Sequence, residues 1–252
     1  MKKLILLAAT VFASVSLSVA QKSKTTTTKP QTQPQTQPVQ EEAKTQPAAD
    51  QKMIEHFVRK YSFASRWNDM EVAKDALYDL IVEYPGSDSL IYALALDYYQ
   101  NEKYPSAVLV GQDLLNRTPK NPRVLELVAA GYELLNITDR ALQNYESLFL
   151  VTSNNLTLYK MAFLQYTLKR YPECITNADI LLAKPEIDTL KVSYNDAQGK
   201  PKEYILKVAL LNLKGLVYKD QSDKVNAKKF FDQALALAPD FVAAKENLAS
   251  LK

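Results

Sequence analysis

The stretch Val208–Phe241, VALLNLKGLVYKDQSDKVNAKKFFDQALALAPDF, decides how the rest of the chain reads. Gly215 and Tyr218 lie in its first half, Ala227, Phe231 and Ala234 in its second, and Pro239 closes it. The same layout returns further upstream. From Asp88 onward it reads Leu94-Ala95, Tyr98, Tyr104, Ala107, Leu114 and Pro119. Ala73, Ala107 and Ala141 are spaced by 34 residues, and so are Tyr98 and Tyr132, and Pro85 and Pro119. A fixed period of this length is the mark of a repeat array rather than of one large core.

With small residues, aromatics and a terminal proline in register, the chain resembles the tetratricopeptide-repeat family over nearly all of its length after residue 50. The resemblance implies an all-α solenoid of helix-turn-helix units. Five repeats are expected, at about 54–87, 88–121, 122–154, 155–188 and 208–241. Each pairs two antiparallel helices whose axes approach closely, so a residue without bulk must sit at each crossing. Ala95, Ala129 and Gly215 fill that place on first helices, and Ala107, Ala141 and Ala227 on second helices. Ile91, Leu94, Ala95 and Tyr98 give the apolar stripe that buries against a neighbour. Proline then ends the second helix, because it has no backbone N–H to donate.

Two repeats depart from the pattern. In repeat one, Tyr61 stands where the family prefers a small residue. Repeat four admits two registers. Starting at Asn155, Met161-Ala162 fall at the crossing and Cys174 at the close-packing position. Starting at Leu156, Tyr166 joins the tyrosine column but Phe163 lands where little space exists. The Asn155 register is preferred.

Between repeats four and five the period breaks. Leu190, Val192 and Tyr194 alternate with Lys191 and Ser193, a strand pattern, and Asn195–Lys200 is turn chemistry. A β-hairpin over about 189–206 is expected to project from the solenoid, either as a second contact surface or as a passive spacer. A more polar helix over 241–251 is expected to cap the open end of the stack.

The N-terminus sets the compartment. Lys2-Lys3, the apolar run Leu4–Leu17 and the small residues Ser18 and Ala20 compose a secretory signal peptide over 1–20. The apolar run is short of the roughly 20 residues that span a bilayer. Export to a periplasm is therefore expected, with an uncleaved N-terminal anchor as the alternative. Residues 21–50 are rich in Gln, Thr and Pro and almost free of bulky apolar side chains, the composition of a flexible tether.

Loss of Lys2 and Lys3 leaves 29 basic against 28 acidic residues, a net charge of +1. That balance argues against nucleic acid as a partner and against an anionic membrane surface. No membrane insertion is expected after cleavage. The single Cys174 forms no intramolecular disulfide and reads as a small buried apolar residue. His56 is the only histidine, so no metal-ligand spacing and no nucleophile–base pair exist, and no Gly-rich phosphate loop is present. Neither catalysis, cofactor nor metal is expected.

What remains is surface. In the family the chain resembles, the first helices line a concave groove, with positions 2, 5, 9, 12 and 13 of each repeat facing a protein or peptide ligand. Carried onto repeat two, these positions give Ser89, Tyr92, Leu96, Tyr99 and Gln100. Repeat four gives Leu156, Tyr159, Phe163, Tyr166 and Thr167. Repeat three contributes Glu126, Ala130 and Glu133, and repeat five Asn212, Leu216, Lys219 and Asp220. Val58, Tyr92 and Glu126 at successive fifth positions do not resemble the basic clamp that holds a terminal carboxylate. The resemblance therefore implies a non-catalytic scaffold or adaptor of the bacterial cell envelope. The alternative is a structural protein that self-associates into a homo-oligomer.

Overall fold

The computed structural model describes residues 48–251, with side chains from Gln51 onward. The signal peptide expected at 1–20, and the tether as far as residue 47, lie outside the described residues. The helices run in antiparallel pairs: α1 (Ala48–Arg66) with α2 (Met70–Glu83), α3 (Asp88–Gln100) with α4 (Tyr104–Arg117), α5 (Pro122–Leu134) with α6 (Thr138–Thr152) and α7 (Asn155–Thr167) with α8 (Tyr171–Leu182). A single 3-10 turn (Pro185–Asp188) leads into β1 (Lys191–Asn195) and β2 (Pro201–Ile205). A last pair, α9 (Leu206–Asp220) and α10 (Lys224–Leu237), is followed by α11 (Val242–Ala249). The first helix begins at Ala48, inside the stretch whose composition reads as tether.

Each pair turns through the same backbone device. Asn68, Glu102, Asn136, Lys169 and Ser222 all have positive φ, between 58° and 64°. In every case the next residue's N–H reaches back five positions: Asp69 to Ala64, Lys103 to Tyr98, Ile137 to Tyr132, Arg170 to Gln165 and Asp223 to Tyr218, at 2.8–2.9 Å. This closure satisfies carbonyls that the helix end would otherwise orphan. Among the described residues, four helix starts are capped by an Asp or Asn side chain, at Asp69, Asn121, Asn154 and Asp223. Asn121 accepts from the N–H groups of Arg123 and Val124, and Asn154 from those of Leu156 and Thr157. The cap at Asn154 starts α7 at Asn155, with Ala162 fully buried at the crossing and Phe163 only half-buried.

The crossings are as tight as the small residues allow. Ala95, Ala107, Ala129, Ala141, Ala162, Cys174 and Ala227 have no exposed surface. Two glycines interlock reciprocally between α4 and α5. A Cβ on Gly111 would stand 2.4 Å from Val128, and one on Gly131 would stand 2.7 Å from Val108. Gly215 on α9 lies against the ring of Phe231 on α10, which would sit 2.4 Å from an added Cβ.

The two strands pair antiparallel, Lys191 opposite Ile205 and Asn195 opposite Pro201. The hairpin does not project. Its apolar face folds back onto the solenoid, because a two-stranded ribbon is only marginally stable on its own. Tyr194 and Tyr204 meet the buried ring of Phe241 edge-on, at centroid distances of 4.9 and 4.8 Å. The Tyr204 hydroxyl donates to the Asp240 carboxylate at 3.3 Å, and Lys202 pairs with the same carboxylate. β1 starts at Lys191, two residues after the hairpin start expected at 189, because the 3-10 turn Pro185–Asp188 precedes it.

The hairpin and α11 enclose repeat five. α9 buries Leu206, Val208, Ala209, Leu210, Leu211, Asn212, Leu213, Lys214, Gly215 and Val217, and so shows almost no polar face. The polar members are satisfied, as buried groups must be. Asn247 of α11 donates to Asn212 at 3.0 Å, and Lys214 reaches Asp179 at 2.5 Å with its ammonium 4.5 Å from the centroid of the Phe230 ring.

Two substitutions test this packing. Gly215→Ala gains about 1 kcal/mol of helix propensity but overpacks a ring that cannot retreat, at about 1–3 kcal/mol. A net loss is expected, read as a lower urea midpoint at unchanged slope, whereas Gly86→Ala, with nothing within 4 Å of the new methyl, is expected to leave the midpoint unchanged or raise it. At the turns, Glu102→Gly removes the cost of a left-handed non-glycine residue, roughly 1–2 kcal/mol, against a smaller loss of chain entropy. Its midpoint is expected to rise, and a fall would show that the Glu102 side chain contributes something the backbone does not account for.

Candidate functional site

First helices neighbour one another, α3 touching α5 and α7 touching α9, and Lys160 of α7 reaches Glu133 of α5 to join the two halves. On α3, Tyr92, Leu96 and Tyr99 pack their inner edges on the main core cluster and remain half-exposed, while Gln100 is exposed. On α7, Phe163 and Tyr166 pack against a smaller cluster that includes Ala162, Cys174, Leu213 and Val217. Spacing of three and four residues puts each set on one stripe of its helix.

Tyr159 differs from the other candidates. Its hydroxyl lies 2.6 Å from that of Tyr194, so the hairpin covers it. Burial, then the adjacent Tyr194, hold its pKa well above the ordinary phenol value, and burial raises Tyr194 in the same way. Asn212, at the corresponding place on α9, is sealed under Asn247. The accessible part of the face therefore runs along α3, α5 and α7 and stops at the hairpin. Nothing in the alternation of 190–194 signals which surface the hairpin covers.

Between the two aromatic stripes lies a polar bridge. Glu133 of α5 accepts the Tyr145 hydroxyl at 2.9 Å and the Lys160 ammonium at 2.8 Å, linking α5, α6 and α7. Burial, and then the Glu133 charge, raise the Tyr145 pKa. Tyr99 is raised by burial first, then by Tyr104, Glu133 and Glu126. Burial also raises Tyr92, with Arg123 opposing and Glu126 adding. The face is thus a row of neutral phenols, able to offer ring surface and hydroxyl donors. Burial pushes the Cys174 thiol up to about 12, so it stays protonated at neutral pH and packs as an apolar group.

Two further tyrosines belong to this face. Tyr104 stands beside Tyr99, ring centroids 5.6 Å apart, and Tyr171 stands beside Tyr166 at 6.2 Å. The signal for them is the recurrence of Tyr-Pro at the start of the second helix, Tyr104-Pro105 and Tyr171-Pro172. Among the described residues, no helix is long and apolar enough to cross a membrane.

Neither a family profile nor a curated protein matches the sequence. Solved structures do resemble the fold. A tetratricopeptide repeat protein from Parabacteroides merdae aligns with TM-score 0.60 and 19% identity, over 79% of this chain and 72% of that one. YrrB, described as a TPR protein with an unusual peptide-binding site, aligns with TM-score 0.60 and 13% identity, over 79% of this chain and 96% of its own. The MamA protein aligns with TM-score 0.56 and 11% identity, over 80% and 97%. With paired helices at a 34-residue period and these neighbours, the chain has the fold of a tetratricopeptide-repeat solenoid, with a β-hairpin inserted between α8 and α9.

Proposed function

We propose that this chain is a non-catalytic, exported adaptor of the bacterial cell envelope that captures an extended segment of a partner protein along the α3–α5–α7 face. The observation that carries the reading is the row of half-exposed aromatic and aliphatic side chains, Tyr92, Leu96, Tyr99, Phe163 and Tyr166, left over after the core is built. Such residues give large contact area at low entropy cost and dominate binding hot spots. The peptide-binding site named for the structural neighbour YrrB supports the same use of the fold. Export rests on the Lys2-Lys3, Leu4–Leu17 and Ser18–Ala20 pattern. A role in envelope assembly or secretion fits such an adaptor.

A second reading has its own observation. The first repeat exposes Trp67 at 71% and stacks it on Phe63 at 5.4 Å, with Val58 and Met70 also exposed. Terminal repeats that present such a surface can stack on a second copy, so self-association is the rival. Light scattering across a concentration series separates the two, because only stacking makes the mass grow.

The adaptor reading is checked by crosslinking and pull-down from the native envelope. The triple change Tyr92→Ala, Leu96→Ala, Tyr99→Ala is expected to lower capture of the partner by roughly a thousandfold, the loss of two hot-spot residues at roughly 2 kcal/mol each. Cys174→Ser is expected to leave capture largely intact. A triple variant that keeps its helical circular dichroism and still captures the partner at wild-type affinity refutes the groove. The intact mass of exported protein is expected to begin at Gln21, and retention of Met1–Ala20 would favour the anchored alternative.

A further inference from the structure

Tyr166 and Tyr171 come from the end of α7 and the start of α8, and their ring planes incline at 42°. The Tyr171 hydroxyl donates to Asp220, on the end of α9, at 3.2 Å. Asp220 is exposed and takes no ion-pair partner among the described residues. Arg170, close by in sequence, is committed to Glu173 at 3.0 Å. Two repeats earlier the same positions hold Tyr99 and Tyr104, their planes at 66°, but the residue corresponding to Asp220 on the next first helix is Leu134. The complete arrangement is therefore found once among the described residues, assembled from repeats four and five.

Resting on the groove reading above, we propose that Tyr166, Tyr171 and Asp220 form a receptor for a lysine or arginine side chain of the bound segment. Paired aromatic faces attract a cation through the ring quadrupole, and the Asp220 carboxylate, which accepts the Tyr171 hydroxyl but pairs with no cation among the described residues, adds a charge-assisted hydrogen bond. The alternatives fare worse on physical grounds. A purely apolar segment lying over Asp220 would strip its water without replacing it, a costly burial of charge. An acidic segment would meet like charge there. The occupant that satisfies both halves of the receptor is a basic one.

The test uses the full-length chain with labelled tyrosines, followed by NMR during titration with a blocked glycine–lysine–glycine tripeptide. The control is the same tripeptide acetylated on the lysine, which keeps length and loses charge. The Tyr166 and Tyr171 resonances are expected to move with the lysine form, and acetylation or Asp220→Asn to weaken the response by roughly tenfold. Tyr171→Phe, which keeps the ring, is expected to retain most of it. Equal shifts with the acetylated peptide, no effect of Asp220→Asn, or shifts confined to other residues would each overturn the inference. Failure here is separable from failure of the groove. The Tyr92, Leu96 and Tyr99 variant reports on the groove, and loss of partner capture there alongside indifference to charge here would leave an aromatic groove that does not select cations.

Discussion

Helix axes in this molecule approach until backbone nearly meets side chain, and the rest of the architecture follows from that distance. Ala95, Ala107, Ala129, Ala141, Ala162, Cys174 and Ala227 are all sealed at the crossings, and Gly111, Gly131 and Gly215 sit where even one methyl would collide. Close approach lets apolar stripes of modest size interdigitate at crystal-like density. It also fixes the rotation of each helix, which decides which side chains are left on the outer stripe. Ala95 on α3 and Ala162 on α7 are sealed in the crossings, and Tyr92, Tyr99 and Tyr166, three or four residues away, lie half-buried on the adjoining stripe. The candidate face is what the packing constraint leaves beside the crossings.

Much of this was legible in the sequence because the constraint is local and repeated. A requirement for no bulk at one position in every 34 residues leaves a column of Ala, Gly and Cys, and Pro85, Pro119 and Pro239 punctuate it. The turn geometry was not legible. Glu102 and Lys169 adopt left-handed backbone without the glycine or asparagine that announces it, since the closing hydrogen bonds from Lys103 and Arg170 enforce the conformation from outside the residue. Gly111 and Gly131 carry no periodic signature either. Their fit depends on valines in the opposing helix.

The candidate face was legible in part. The outward positions of α3 follow from its register alone, and Tyr92, Leu96 and Tyr99 lie together as that register requires. Repeat four was harder, because a segment inserted later in the chain returns to cover it. Tyr194 meets Tyr159 across 35 positions of sequence, a contact no period encodes. Asn212 is lost to the face for a similar reason, through its bond to Asn247. Alternation can identify a strand pair but not the surface it settles on, since that depends on long-range partners such as the Phe241 ring between Tyr194 and Tyr204.

The enclosure of α9 gives the array a mechanical direction. Among the described side chains of α1 only Ala64 is buried, whereas α9 is surrounded by α8, α10, α11 and the hairpin. Local opening free energy follows buried contacts, so it rises from the first repeat toward the fifth. A chain pulled from its N-terminal end would surrender helices in order, α1 and α2 first, each step bearing on one interface because every repeat leans mainly on its neighbours. The hairpin-wrapped repeat would hold last. Tension applied between the first repeat and the fifth would thus be taken up by graded, reversible unzipping of the N-terminal helices, while the covered end of the solenoid stays intact.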